Sequence, residues 1–311
     1  MTLRHVRGAR ARNTEVVLAL DVGGSSVKSA LVSRAGFVRR GSFRRTPVDP
    51  RGTREEIIDG LTGVIACGLR TAEDSGWPCR GIVIAMPGPC DYRTGITLMR
   101  HKFGAIFGVS LAVEIRGRLG LDGATPIAFV HDTGAFLLGE AWRGAARGYS
   151  RVMAITLGTG IGSAFMADGR LAVTHTGMPV CSVWDQPYDG GIVEDAVSGA
   201  AIVARYRKLS GTTMAVNVEQ IASRAMNGGD LDAEQTFAGL GATVAAAIRP
   251  TVLRFEPEIL VFGGRISKAF RLFEVPLRAR LKTIRGLKQV VPGRSIDFSA
   301  LYGAAKIVWG P

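Results

Sequence analysis

"LALDVGGSSVKSALV", residues 18–32, decides how the rest of the chain is read. An apolar strand runs into a turn of two glycines and two serines beside Asp21, and a second apolar strand follows. Glycines permit positive φ and let backbone N–H groups approach an anion, and a hydroxyl adds a donor. The same object recurs as "AITLGTGIGSAFM", residues 154–166. Two such turns can hold one phosphate chain between them. The candidate contacts are Gly23, Gly24, Ser25, Ser26 and Lys28 in the first turn, and Gly158, Thr159 and Gly160 in the second.

The whole-chain numbers bound this reading. With 311 residues, 47% of them hydrophobic and 21% charged, the chain can bury a large core and is longer than one typical domain. A net charge of +13 invites a nucleic-acid partner. Seven of the 39 basic residues are Lys, however, and the Arg are scattered, with only local groups such as Arg39, Arg40, Arg44 and Arg45. No nucleic-acid face is expected. Cys67, Cys79, Cys90 and Cys181 lack C-x-x-C spacing and read as reduced thiols. No uninterrupted apolar run approaches a membrane span, and the basic start "MTLRHVRGARARNTE" lacks the pattern of a signal peptide, so a soluble cytoplasmic protein is expected.

Five segments run from an apolar strand into a turn at Gly or Asp: "EVVLALDVGG", "RGIVIAMPGP", "TPIAFVHDTG", "RVMAITLGTG" and "PEILVFGG". Helices alternate with them, which predicts an α/β architecture with polar residues delivered at strand carboxyl ends. "TREEIIDGLTGVIACGL" carries a capping-box pattern at Thr53 and Glu56 ahead of Ile57, Leu61, Val64 and Ile65. "VEDAVSGAAIVARYRKLSG" and "AEQTFAGLGATVAAAIRPTVLRFEP" are the other strong helical segments.

In this order, "DVGGSSVKSALV", "MPGPCDYRTG", "HDTGAFLLGEAW", "LGTGIGSAFMADGRL", "GIVEDAVSGAAI", "EPEILVFGGRI" and "LYGAAKIVWG" resemble the ROK sugar kinases of the sugar kinase, heat-shock protein and actin superfamily. The resemblance covers the chain from about residue 15 onward. It implies two ribonuclease-H-like (actin-like ATPase) lobes around a nucleotide and sugar cleft. Residues 1–132 would form the first lobe and 133–299 the second, with a helix over 300–311 packing back on the first. The implied activity is transfer of the γ-phosphate of ATP to a hydroxyl of a hexose or hexose derivative, with Mg²⁺ and in a homodimer. Asp132 would be the base that accepts the hydroxyl proton. A helix N-cap is the plainer role for an Asp at that position. Asp21 would hold Mg²⁺ through water, and Gly263 and Gly264 would form the adenosine turn. Gly88, His131, His175 and Glu194 would line the sugar.

The chain departs from its relatives at several of these positions. His131 stands where the family has Asn. In "VTHTGMPVCSVWDQPYDGGIVEDAVSG", His175 replaces a sugar-binding Glu, Met178 replaces a zinc-ligating His, and a cysteine-rich run is reduced to Cys181. Tetrahedral zinc needs four ligands, and a set of His175, Cys181, Asp185 and Asp189 has no familiar spacing, so no structural zinc is expected. Trp184 and Tyr188 can pack the replacement loop or face a sugar ring. Two alternatives stay open: a sugar- or nucleotide-binding relative with weakened turnover, and a glucokinase using polyphosphate. Against the second, the sequence shows no Lys or Arg cluster beside either turn. A repressor of the same family would need a winged helix before the first strand, for which some 15 residues leave no room.

Overall fold

The computed structural model describes residues 14–100 and 102–310. The expectations for the basic start of the chain, up to residue 13, lie outside the described residues. The chain divides into two compact units: residues 1–144, 173–179 and 298–311, and residues 145–172 and 180–297.

In the first unit, β1 (Val16–Val22), β2 (Ser26–Ser33) and β3 (Arg44–Pro47) lead to helix α1 (Arg54–Asp74) and β4 (Cys79–Met86). A short hairpin, β5 (Cys90–Asp91) and β6 (Ile96–Thr97), precedes α2 (Leu111–Leu119), β7 (Ile127–His131) and α3 (Asp132–Arg143). The sheet order is β3-β2-β1-β4-β7. The first three strands are antiparallel, whereas β4 and β7 run parallel to β1. In β1 every residue but Asp21 is buried, as a central strand covered on both faces requires. Helix α1 begins with the expected capping box at Thr53 and Glu56, and Ile57, Leu61, Val64 and Ile65 are all buried.

The second unit repeats the plan. It contains β8 (Arg151–Leu157), β9 (Ile161–Ala167), β10 (Arg170–Leu171), β11 (Pro187–Tyr188), β12 (Gly191–Ile192), α4 (Val193–Val197), α5 (Gly199–Ser210), α6 (Val218–Asn227), α7 (Leu231–Phe255), β13 (Ile259–Gly263), α8 (Phe270–Leu281) and β14 (Gln289–Pro292). Its sheet order is β10-β9-β8-β13-β14, with the same pattern of antiparallel and parallel neighbours. The single helical segment expected over 193–211 is two helices. Ser198 is extended (φ −68°, ψ 166°) and its side chain accepts the Ala201 N–H, so it starts a new helix. Helix α7 is long and apolar enough to cross a membrane by composition, but Phe237, Leu240, Val244, Ile248 and Val252 are buried in the core of this unit.

The chain then returns to the first unit as α9 (Ser299–Trp309), which packs on α3 and β1. Its contact with α3 requires two glycines. A Cβ on Gly139 would strike the backbone of Ser299, and one on Gly303 would strike the Ala135 carbonyl. Glu140, fully buried, accepts a hydrogen bond from Ser299 Oγ at 2.5 Å. The first unit accordingly runs through Gly144 rather than stopping at residue 132, because β7 passes directly into α3 and α3 is held by α9. Residues 173–179, placed by sequence in the second lobe, also group with the first unit.

Candidate active site

Parallel pairing aligns the carboxyl ends of three strands in the first unit: Asp21 pairs with Ala85, and Met86 with His131. Asp21 is 18% exposed, and Lys28, its cross-strand partner, approaches Oδ2 at 3.3 Å. Burial pushes the Asp21 carboxyl above its ordinary range; Lys28 opposes this, Asp132 raises it further, and Arg45 lowers it. Arg45 was not foreseen as a site residue. It pairs with Lys28 across β2 and β3, and its Nε donates to Ser26 Oγ at 3.2 Å. Two cations therefore flank the first turn, where the sequence offered Lys28 but no cluster, because a hairpin brings together positions that are separated in sequence.

The turn glycines Gly23, Gly24, Gly158 and Gly160 do not adopt the positive φ that glycine permits. A Cβ on Gly24 or Gly158 would meet no atom within 4 Å, so at these two positions neither backbone conformation nor packing demands glycine. Ser25 is exposed, and the Gly23 N–H closes the turn on the Ser26 carbonyl at 3.0 Å.

Asp132 opens α3 from its first helical position, with His131 at the N-cap, so the carboxylate is not itself the cap. It accepts the Thr133 N–H at 2.6 Å and the Thr133 hydroxyl at 3.2 Å, both on Oδ1. His131 is 14% exposed, and its Nδ1 lies 3.4 Å from the same Oδ1. Tyr92 meets the imidazole edge-on, with centroids 5.9 Å apart, and its hydroxyl donates to the Met86 carbonyl at 3.0 Å. Burial and the nearby Asp132 hold the Tyr92 phenol well above its ordinary range.

Residues 173–179 bear on Tyr92. Its N–H donates to the Thr176 carbonyl at 2.8 Å, and a Cβ on Gly177 (φ +82°) would lie 2.9 Å from the Tyr92 Cβ. Met178 packs against Gly88 and the first core. The His175 side chain is exposed, and its carbonyl accepts a long 3.5 Å contact from Arg93. Tyr92 lies within the quoted "MPGPCDYRTG", but nothing in that motif singles it out as a site residue.

In the second unit, the Gly158 N–H donates to the Gly160 carbonyl and the Gly158 carbonyl accepts from Gly199 at the start of α5, both at 2.9 Å. Thr159 projects to solvent between them. Glu194 Oε2 accepts the Ile161 N–H at 3.1 Å, and a Cβ on Gly160 would collide with that carboxylate. Gly264 (φ +81°) follows Gly263 at the end of β13, and its Cβ would strike the Leu157 carbonyl. Gly264 is thus required by conformation and packing within the protein itself.

Among the described residues, no three His, Cys, Asp or Glu side chains cluster as a metal would need. His175 belongs to the first unit, and Cys181, Asp185 and Asp189 to the second. The replacement loop packs through Val183, fully buried, and Tyr188, while Trp184 is 43% exposed. Gln186 joins it to Thr251 at 3.2 Å. The four cysteines are free thiols.

Two α/β units of one connectivity, each closing a β-hairpin with a Gly-rich turn, define an actin-like ATPase fold. The chain belongs to the ROK family, whose model matches residues 17–310. It is 27% identical to the glucokinase of Thermotoga maritima, covering 94% of this chain and 96% of that protein. It is 24% identical to the N-acetyl-D-glucosamine kinase of Photobacterium profundum, covering 92% and 96%. A ROK family glucokinase from Streptomyces griseus, solved with glucose and AMPPNP, matches with a TM-score of 0.78 at 21% identity, covering 94% and 98%.

Proposed function

We propose that the protein is an ATP-dependent sugar kinase that phosphorylates a hydroxyl of a hexose or hexose derivative, with Asp132 as general base. The observation that carries this reading is the Asp132 carboxylate. It stands at a strand-to-helix junction with Oδ1 pinned by Thr133, and close enough to Asp21 to raise that group's pKa. Oδ2 is then the oxygen that takes the substrate proton as its hydroxyl attacks phosphorus. Phosphoryl transfer otherwise needs positioning and charge neutralisation. Lys28 and Arg45 supply positive charge beside the first turn, with Ser25 and Ser26 as hydroxyl donors. Gly24 and Gly158 leave room for phosphate oxygens to approach the backbone, and Gly263 and Gly264 shape the nucleoside end.

Asp21 fits a divalent cation: its carboxylate, 18% exposed at the end of β1, is held above its ordinary range by desolvation, and a cation beside it would relieve that penalty. Mg²⁺ there would neutralise the charge on the transferring phosphates. Gly88, His175 and Glu194 are the proposed sugar-contacting residues, with His131 beside them against Asp132. A cytoplasmic homodimer completes the proposal.

The test is ADP release over a panel of glucose, mannose and their N-acetyl and amino derivatives, with ATP and separately with polyphosphate as donor. We expect turnover of at least one hexose, and Asp132→Asn should reduce it by roughly 10²–10⁴-fold while the melting temperature is retained. No turnover of any sugar with either donor would leave a binding protein and overturn the reading.

A further inference from the structure

We propose that His131 is a positioning residue for Asp132: its Nδ1 carries the ring proton and donates it to Asp132 Oδ1, fixing the carboxylate so that Oδ2 faces the substrate. The proposal rests on the kinase reading above but makes a claim about the protein that does not require turnover.

Nδ1 is wholly buried and has no hydrogen-bond partner among the described residues. The polar atom it approaches is Asp132 Oδ1 at 3.4 Å, a long contact that does not meet hydrogen-bond geometry. A buried polar nitrogen without a partner is costly, and catalytic hydrogen bonds in ligand-free sites are often long and tighten when substrate arrives. The tautomer follows from electrostatics. A lone pair on Nδ1 would face a carboxylate oxygen, placing two acceptors against each other, whereas Nδ1–H gives a donor and an acceptor.

The ring is held for this contact. The edge of Tyr92 packs against it, the Tyr92 hydroxyl is tied to the Met86 carbonyl, and Met86 is the strand partner of His131. Thr176, Gly177 and Met178 close over Tyr92 and Gly88, so this segment secures the imidazole through an aromatic ring. Thr133 and His131 thereby converge on Oδ1 from both sides in sequence.

The chemistry supplies a discriminating series. An Asn amide places an N–H close to the position of Nδ1, whereas a Gln amide places it one bond further out, near Nε2. With the sugar that the panel identifies, His131→Asn should keep kcat within about threefold of wild type. His131→Gln and His131→Ala should lower kcat by about 10²-fold, with KM for the sugar changed little. A direct sugar ligand would instead raise KM in His131→Gln and His131→Ala, and that result, or equal losses of kcat in Asn, Gln and Ala, would overturn the proposal. Independently of any substrate, ¹⁵N-resolved spectra of the imidazoles, with the His131 signals assigned by their absence in His131→Asn, should show Nδ1 protonated and Nε2 bare in the wild type. Asp132→Ala should shift His131 away from that tautomer while the exposed His175 is unchanged. A bare Nδ1 in the wild type refutes the proposal even if the kinase reading holds. Absence of turnover with Nδ1 protonated refutes the kinase reading alone.

Discussion

The crossing of α3 and α9 couples the stability of the first unit to the position of Asp132. In Gly303→Ala the added Cβ would lie 2.7 Å from both the Ala135 carbonyl carbon and the Gly139 nitrogen, and closer still to the Ala135 oxygen. Non-bonded heavy atoms settle near about 3.5 Å, so the helices must part by more than about 1 Å to free the Ala135 oxygen. Overpacking of this kind costs about 1–3 kcal/mol. A loss of 2 kcal/mol lowers the melting temperature of a unit this size by roughly 4–8 °C. Ala135 lies three residues beyond Asp132, on the same helix. A displacement of about 1 Å at the base can lower kcat by up to 10²-fold. Calorimetry and ADP release measure the two arms separately.

Two glycines of α1, Gly60 and Gly63, serve as controls. A Cβ at either meets nothing within 4 Å, and alanine there should stabilise by roughly 0.5–1 kcal/mol. If Gly303→Ala melted with the wild type, or lost no more stability than Gly60→Ala, the close crossing would not exist as described.

Three further outcomes are expected. Gly24→Ala and Gly158→Ala should weaken binding of a nonhydrolysable ATP analogue at unchanged melting temperature, whereas Gly160→Ala should lower the melting temperature because its Cβ displaces Glu194; calorimetric titration and thermal melts distinguish them. Purified protein should carry no stoichiometric zinc by elemental analysis, and chelation should leave its melting temperature unchanged while abolishing turnover that Mg²⁺ alone restores; one zinc per chain lost together with stability would sink this. Asp21→Asn should raise the melting temperature at pH 7 while removing activity. The folded pKa of Asp21 lies above its unfolded value of 3.8, so folding is penalised once the carboxyl ionises, and the penalty is absent below that value. The gain should therefore vanish in melts at pH 3, and a variant less stable than wild type at pH 7 would contradict burial as the dominant influence on Asp21.

The duplicated strand–turn–strand, the α/β alternation, the capping box of α1 and the Asp at the strand-to-helix junction at residue 132 were all legible in the chain, because each is a local pattern. Periodicity and turn chemistry act over a few residues, and the order of the motifs carried the family. The long-range facts were not legible. Arg45 reaches the first turn only through the pairing of β2 with β3, across a connection whose length says nothing about register. Residues 173–179 join the first unit by packing on Tyr92 and Gly88, although their neighbours on both sides belong to the second. Gly139 and Gly303, more than 160 residues apart, reveal their purpose only where two helices cross. The glycines of the turns make the same point. Sequence marked them as a group, but only the positions of surrounding atoms separate Gly160 and Gly264, which the protein itself requires, from Gly24 and Gly158, which it leaves open. Local pattern sets which elements form and what chemistry they carry; the neighbours each side chain meets depend on strand register and helix crossing, which only the assembled chain determines.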